Sequence, residues 1–340
     1  MRVNIEKFGV FNGQIVEEIF VTNSNDITVS FLTLGARINR FIVKDENIIL
    51  GFDSMDKLLN HRELYYGATI GPVSGRIVEG HFSLNGQEYF VDKNEGDNHL
   101  HGGVKGYDWQ NWDFEILEAQ KEIKFYLRDQ SANSGYPSDI NVSVIHTFND
   151  KNEWTVTYEA DSEAETIFDP TNHVYFNLNG NQVGTIEDHY LQVNANYYYP
   201  VADDVTPRAN MEAVENTPFD FRKKRKIGDA IQADHEQIRK VKGIDHPFVF
   251  GNGSPQVELI APLKSRKIII ETDAPGAVIY THNKVGTEID IWGTPLKPYA
   301  GIAIEPQILL GNSKKLGVEK ASLSKENKFL SQTKYSYIEE

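Results

Sequence analysis

The residues with chemistry to offer stand in five short stretches. The richest is Asp169-Pro170-Thr171-Asn172-His173-Val174-Tyr175-Phe176-Asn177-Leu178-Asn179-Gly180. Read at period two, Val174, Phe176 and Leu178 share one face, and His173, Tyr175 and Asn177 share the other. An Asp-Pro turn opens the run and Asn-Gly closes it. The spacing predicts a strand with one apolar side and a second side carrying an imidazole, a phenol and a carboxamide. Such groups hydrogen-bond hydroxyls and move protons, which suits a sugar. The plainer reading is a half-buried strand whose histidine has a structural partner.

Four other stretches add polar groups. Gly71-Pro72-Val73-Ser74-Gly75-Arg76-Ile77 is a loop that can bring backbone close to a ligand and hold Arg76 as a fixed fork of donors. Its spacing does not fit a phosphate loop, and no helix pattern follows it. His99-Leu100-His101 puts two imidazoles on one side of an extended chain, the arrangement a metal site uses. A cupin-type metal isomerase wants a glutamate a few residues on, where Val104, Lys105 and Gly106 stand, so a hydrogen-bonding His101 is the better reading. Asp245, in Lys242-Gly243-Ile244-Asp245-His246, can accept two hydroxyls at once or simply cap an Asx-type turn. In Gly301-Ile302-Ala303-Ile304-Glu305-Pro306-Gln307-Ile308, Ile302 and Ile304 point inward and Glu305 shares the other face with Ala303 and Gln307. Pro306 donates no ladder bond, which puts the strand at an edge or end there. That neutral setting can tune Glu305 for base work, and its plain alternative is a surface carboxylate.

The elements that must position these groups are strands. Alternation marks 26–34, 122–127, 140–148, 154–160, 191–199, 257–263, 267–272 and 277–281, with a bend at Gly35. The clearest hairpin is 81–91, where Asn85-Gly86 suits a type I′ turn. That turn pairs Leu84 with Gln87 and Phe82 with Tyr89. Short helices are predicted at 55–60 and 227–233. Many short strands with Gly/Asn/Asp turns indicate an all-β sandwich or barrel. No linker or internal repeat divides the 340 residues, so a single domain over 1–340 is expected.

Composition excludes other classes. Lys+Arg 34 against Asp+Glu 49 gives 34 − 49 = −15, which argues against nucleic acid and anionic membranes. The basic run Arg222-Lys223-Lys224-Arg225-Lys226 reads as a solvated turn before a short helix. No cysteine is available for disulfides or thiolate metal sites. The start shows no apolar leader, and no run nears the ~18 apolar residues of a membrane helix. A soluble, cytoplasmic protein is the expectation. No serine-hydrolase elbow or dinucleotide fingerprint is present.

With these residues in hand, the chain resembles the galactose mutarotase (aldose 1-epimerase) family. The matching stretches are Leu34-Gly35-Ala36-Arg37, Gly51-Phe52-Asp53, Gly67-Ala68-Thr69-Ile70-Gly71 with Gly75-Arg76-Ile77, and Asn94-Glu95-Gly96 with Leu100-His101-Gly102-Gly103. Gly135-Tyr136-Pro137, Pro170 to Leu178, Thr217-Pro218-Phe219-Asp220-Phe221-Arg222, Gly243-Ile244-Asp245-His246 and Tyr280-Thr281-His282-Asn283 continue the series in order. The resemblance implies a large antiparallel β-sandwich with few short helices. It also implies an isomerase acting on galactose or glucose, with no metal and no cofactor. By the same resemblance Glu305 is the general base, His173 the general acid and His101 a supporting imidazole. Arg76, Asp245, Tyr175 and Asn283 would bind the sugar. Two departures stand out. Gly75 replaces an Asn found in many members, so one hydroxyl contact is missing or supplied elsewhere. Gln307-Ile308-Leu309-Leu310-Gly311 replaces a Pro-Asp-rich segment after the base.

Mutarotation asks little of a protein. A base removes the C1-hydroxyl proton while an acid protonates the ring oxygen, and closure on the other face gives the other anomer. With ordinary values of ~4.3 and ~6.5, a carboxylate base and an imidazolium acid would coexist only below neutrality. Work near pH 7 would therefore need His173 held charged by Glu305 and Asp245. Two rival readings are a catalytically silent sugar-binding module of the same fold and a hexose-phosphate epimerase. The latter would want clustered Arg and Lys, where mainly Arg76 is found.

Overall fold

The computed structural model describes residues 2–181, 183–263, 265–285, 289–309 and 318–339. Strands dominate, and three short helices accompany them among the described residues. A nine-stranded antiparallel sheet forms one layer. Its order is Asp113–Leu117, Glu122–Asp129, Ile140–Phe148, Glu153–Asp161, Phe329–Glu339, Arg266–Thr272, Val257–Ile260, Tyr190–Val193 and Arg225–Lys226. Facing it are a five-stranded sheet built from residues 2–47 and a six-stranded sheet. The six run Tyr175–Phe176, Ile302–Gln307, Gly276–Tyr280, Asp245–Phe250, Ala195–Tyr198 and Glu212–Ala213.

Alternation explains why these layers stack. In Ile140–Phe148 every second residue, Ile140, Val142, Val144, His146 and Phe148 in turn, is buried and the residues between are not. The buried faces meet as aromatic contacts between layers: Phe31 and Phe41 of the five-stranded sheet on Trp154 and Phe148, and Phe176 of the six-stranded sheet on Tyr335. Each such side chain removed from water contributes about 1.5–3 kcal/mol, so the stacking of the inner faces is the main source of stability. The predicted hairpin forms with the predicted register, Phe82 opposite Tyr89 and Leu84 opposite Gln87.

Three local expectations are corrected. Residues 191–199 are two strands, not one. The break falls at Asn194, where the chain leaves the nine-stranded sheet and enters the six-stranded one. The run around His173 is likewise broken. Thr171–Asn172 pairs with Thr69–Ile70, and Tyr175–Phe176 pairs with Ile302–Ala303 of the six-stranded sheet. Both of its sides are buried, so it has no solvent face. Finally, a helix at Glu236–Val241, capped by the His235 side chain accepting from Gln237 N–H, was not predicted. The helices at Met55–Asn60 and Ile227–Ile231 were. The last two residues of the altered segment after Glu305, Leu310-Gly311, lie outside the described residues.

Candidate active site

The strand Ile302–Gln307 supplies the carboxylate. It is flanked by Gly276–Tyr280 along its length and by Tyr175–Phe176 only at Ile302 and Ala303. Pro306 therefore sits where one flank has opened, and the Thr171 hydroxyl donates to its carbonyl at 2.8 Å. All six residues are buried, with Glu305 only 3% exposed, so the surface-carboxylate alternative fails. His173 stands in the gap between its two short strands. Its N–H is held by Ala68 O (2.9 Å) and its carbonyl by Gly67 N–H (3.0 Å). That clamp aims Nε2 at Glu305 Oε1, 3.4 Å away.

The loop bearing His101 docks on the loop bearing Arg76. A Cβ on Gly102 (φ +83°) would stand 1.8 Å from Gly71 O, an approach only glycine permits. This contact lets His101 N–H donate to Gly75 O (3.0 Å) while Gly75 N–H donates to His101 Nδ1 (3.2 Å). His101 has φ +54°, which ends the extended run and turns His99 away. His99 is instead fully buried between Asp92 O and the Tyr136 hydroxyl. The expectation that both imidazoles face one side is thereby overturned.

Arg76, His101, His173, Tyr175, Asp245, Asn283 and Glu305 all line one cavity of about 290 Å³, a size that suits a small ligand. Arg76 is held as a fork by Glu95, Nε to Oε2 at 2.5 Å and the second nitrogen to Oε1 at 2.7 Å. Tyr175 stacks on His173 with ring centres 4.9 Å apart. Asn283 is committed elsewhere: its amide donates to Ile244 O and its oxygen accepts from Thr281 Oγ1. Asn177, predicted on the same face as His173, instead braces Ala300 O at 2.8 Å.

Burial sets the electrostatics. It pushes the Glu305 carboxyl well above the usual range, and the Asp245 carboxylate adds to the rise while Arg76 opposes it. Burial also lowers His173 to about 3, and His101 well below its ordinary value with help from His173 and Arg76. Asp245 is raised by burial, against the pull of Arg76. The expectation of a charged His173 is therefore corrected: desolvation, with His282 adding to it, outweighs the backbone hydrogen bond that favours the charged ring.

His101, His173 and Glu305 offer donor atoms within 4.8 Å of one another, a spacing that can hold a metal ion. The His101 tautomer opposes this. A neutral imidazole has one lone pair, and the Gly75 N–H already uses it at Nδ1, so Nε2 carries the proton.

The chain has relatives in sequence and in fold. The family profile described as aldose 1-epimerase matches residues 17–336. The chain belongs to the aldose 1-epimerase family. It is 33% identical over 325 residues to an aldose 1-epimerase of Streptococcus thermophilus, covering 91% of this chain and 90% of that one. A galactose mutarotase of Bos taurus is 33% identical over 300 residues, with 85% of each chain covered. Among solved structures, a galactose 1-epimerase from Lactobacillus acidophilus superposes with a TM-score of 0.91 at 31% identity, over 99% of each chain. Membership in the aldose 1-epimerase family makes the chain an isomerase.

Sequence reasoning passed over two neighbours of these groups. Tyr65 (φ +51°) stacks on His173 and meets His101 edge-on, with centres 5.8 and 4.9 Å apart. Nothing in the Tyr65-Tyr66-Gly67 run signals that role. In the sequence Glu95 stands out only as part of the stretch Asn94-Glu95-Gly96. Its pairing with Arg76 depends on the two-residue ladder of Arg76–Ile77 with His99–Leu100, which no local pattern announces.

Proposed function

We propose that this aldose 1-epimerase family member interconverts the α and β anomers of galactose and glucose, with Glu305 as base and His173 as acid. The observation that carries the reading is the buried Glu305–His173 pair, 3.4 Å apart and facing one cavity. Such a pair reaches both ends of the O5–C1–O1 unit of a pyranose. Glu305 takes the O1 proton, His173 delivers one to O5, and the C1–O5 bond opens to the aldehyde. Rotation about C1–C2 and closure on the other face, with the protons returned, give the second anomer.

The charge state agrees with this chemistry. Carboxyl plus neutral imidazole holds the same single proton as carboxylate plus imidazolium. Burial favours the first form in the free cavity, so ring opening begins with passage of the Glu305 proton to His173 across the 3.4 Å gap, and the pair returns to the first form once the ring has opened. His101, protonated at Nε2, donates to a sugar oxygen. Arg76 presents the N–H groups outside the Glu95 fork, and Asp245 and Tyr175 take ring hydroxyls. Asn283, its carboxamide bound to Ile244 and Thr281, holds the turn that carries Asp245 rather than the sugar itself.

Two observations weigh against the rivals. The described cations lining the cavity are Arg76 and Lys284, beside Glu63, Glu95, Asp245 and Glu305, a poor place for a phosphate. A silent binder has no use for an acid and a base buried in contact. Glu305→Gln tests the assignment: kcat should fall about 10²–10⁴-fold while the fold and galactose binding survive, because the amide cannot accept a proton. A variant keeping more than about a tenth of wild-type kcat would place the base elsewhere.

A further inference from the structure

Two residues beyond Glu305 on the same strand face, Gln307 lines the same cavity. It is 6% exposed, and its Oε1 is buried with no hydrogen-bond partner among the described residues. Native chains rarely leave a buried amide oxygen unpaired. The surroundings leave that oxygen free for a ligand. Asp169 Oδ1 accepts from Ile308 N–H and so fixes the strand just past Gln307, without reaching the amide. On the facing loop Gly75 brings no side chain, and a Cβ there would stand 3.8 Å from Gln307 Nε2. Gln307, together with the Ser74 hydroxyl beside Gly75, therefore supplies polar atoms on that part of the wall.

We propose that Gln307 is a substrate-binding residue whose Oε1 accepts a hydrogen bond from a non-anomeric hydroxyl of the aldose. The inference rests on the aldose reading of the cavity. Glu305 is assigned to O1, and Gln307 rises from the same strand face about 6.5 Å further along, which places it against a different hydroxyl. A carboxamide offers both an acceptor and donors, which complements a hydroxyl that is itself both. It repels an anionic group at Oε1, so the ligand atom is a neutral hydroxyl.

The test is Gln307→Met, which keeps length and volume and removes both hydrogen-bonding atoms. Kd by NMR titration and KM by anomer exchange are measured with galactose and with its 2-, 3-, 4- and 6-deoxy forms. The expected result is a loss of about tenfold in Kd and KM for galactose, larger than any loss in kcat. One deoxygalactose should bind wild type and variant alike, because it lacks the hydroxyl that Gln307 reads. An unchanged Kd for galactose overturns the proposal, and so does an equal loss on every deoxy sugar, which marks a structural role. If Gln307→Met does not fold, Gln307→Asn, which draws the amide back by one methylene, is read the same way. The titration separates this inference from its parent. Wild-type protein without mutarotation but with Gln307-dependent sugar binding would sink the activity and keep the contact.

Discussion

At the scale of single residues, His173 and Glu305 hold one proton between them, and burial decides which group carries it. With His173 lowered to about 3 and Glu305 raised, the pair is singly protonated from about pH 3 up to the raised carboxyl value. Below that span His173 takes a second proton and no base remains. Above it Glu305 loses the last proton and no acid remains. After subtraction of the buffer rate, kcat/KM should therefore trace a broad bell. Its acid limb should lie near pH 3, below the ordinary carboxylate value of ~4.3, and its alkaline limb well above that value. Both limbs belong to the pair. A narrow bell bounded by the ordinary carboxylate and imidazole values would contradict this. The types of both residues and the face of Glu305 were legible in the sequence, since Ile302 and Ile304 left Glu305 on the opposite side. Their charge state was not, because it follows from layers packed above the site. Nor could the sequence show that Asn283 spends its carboxamide on Ile244 and Thr281.

At the scale of elements, strands were legible where one face is buried and the other wet. Ile140–Phe148 shows this, and so does the His81–Leu84/Gln87–Phe90 hairpin. The run at 171–180 resisted because both sides are buried and its two short pieces pair with different neighbours. The helix Glu236–Val241 has under two turns and buries only Ile238 and Val241 among its apolar residues, too little for a period to show. The hairpin turn permits a clean test. Asn85 and Gly86 have φ +52° and +78°, and nothing lies within 4 Å of a Cβ at Gly86. Gly86→Val meets no steric neighbour, so its cost is the left-handed backbone alone, about 1–2 kcal/mol. The urea midpoint should fall accordingly with kcat unchanged. An unaltered midpoint would mean that the turn does not depend on that conformation.

At the scale of the molecule, residues as far apart as Arg76 and Glu305 meet in one cavity because two layers of sheet are stacked and their connecting loops dock on each other. Convergence over such distances leaves no local pattern. Only the ordered series of stretches that resembles a family pointed to it, and the match over residues 17–336 bears that family out. No described helix is long and apolar enough to cross a membrane. The central claim is that this fold accelerates anomer exchange with protein groups alone. The lone pair of His101, taken by Gly75 N–H, leaves His173 and Glu305, among the described residues, one donor short of the three protein ligands of a catalytic metal site. The decisive measurement is polarimetry of freshly dissolved α-D-galactose with protein dialysed exhaustively against EDTA. The relaxation rate constant should rise in proportion to protein concentration and reach the same final rotation as buffer alone. A rate constant equal to that of buffer, or one restored only by adding a divalent ion, would contradict the account.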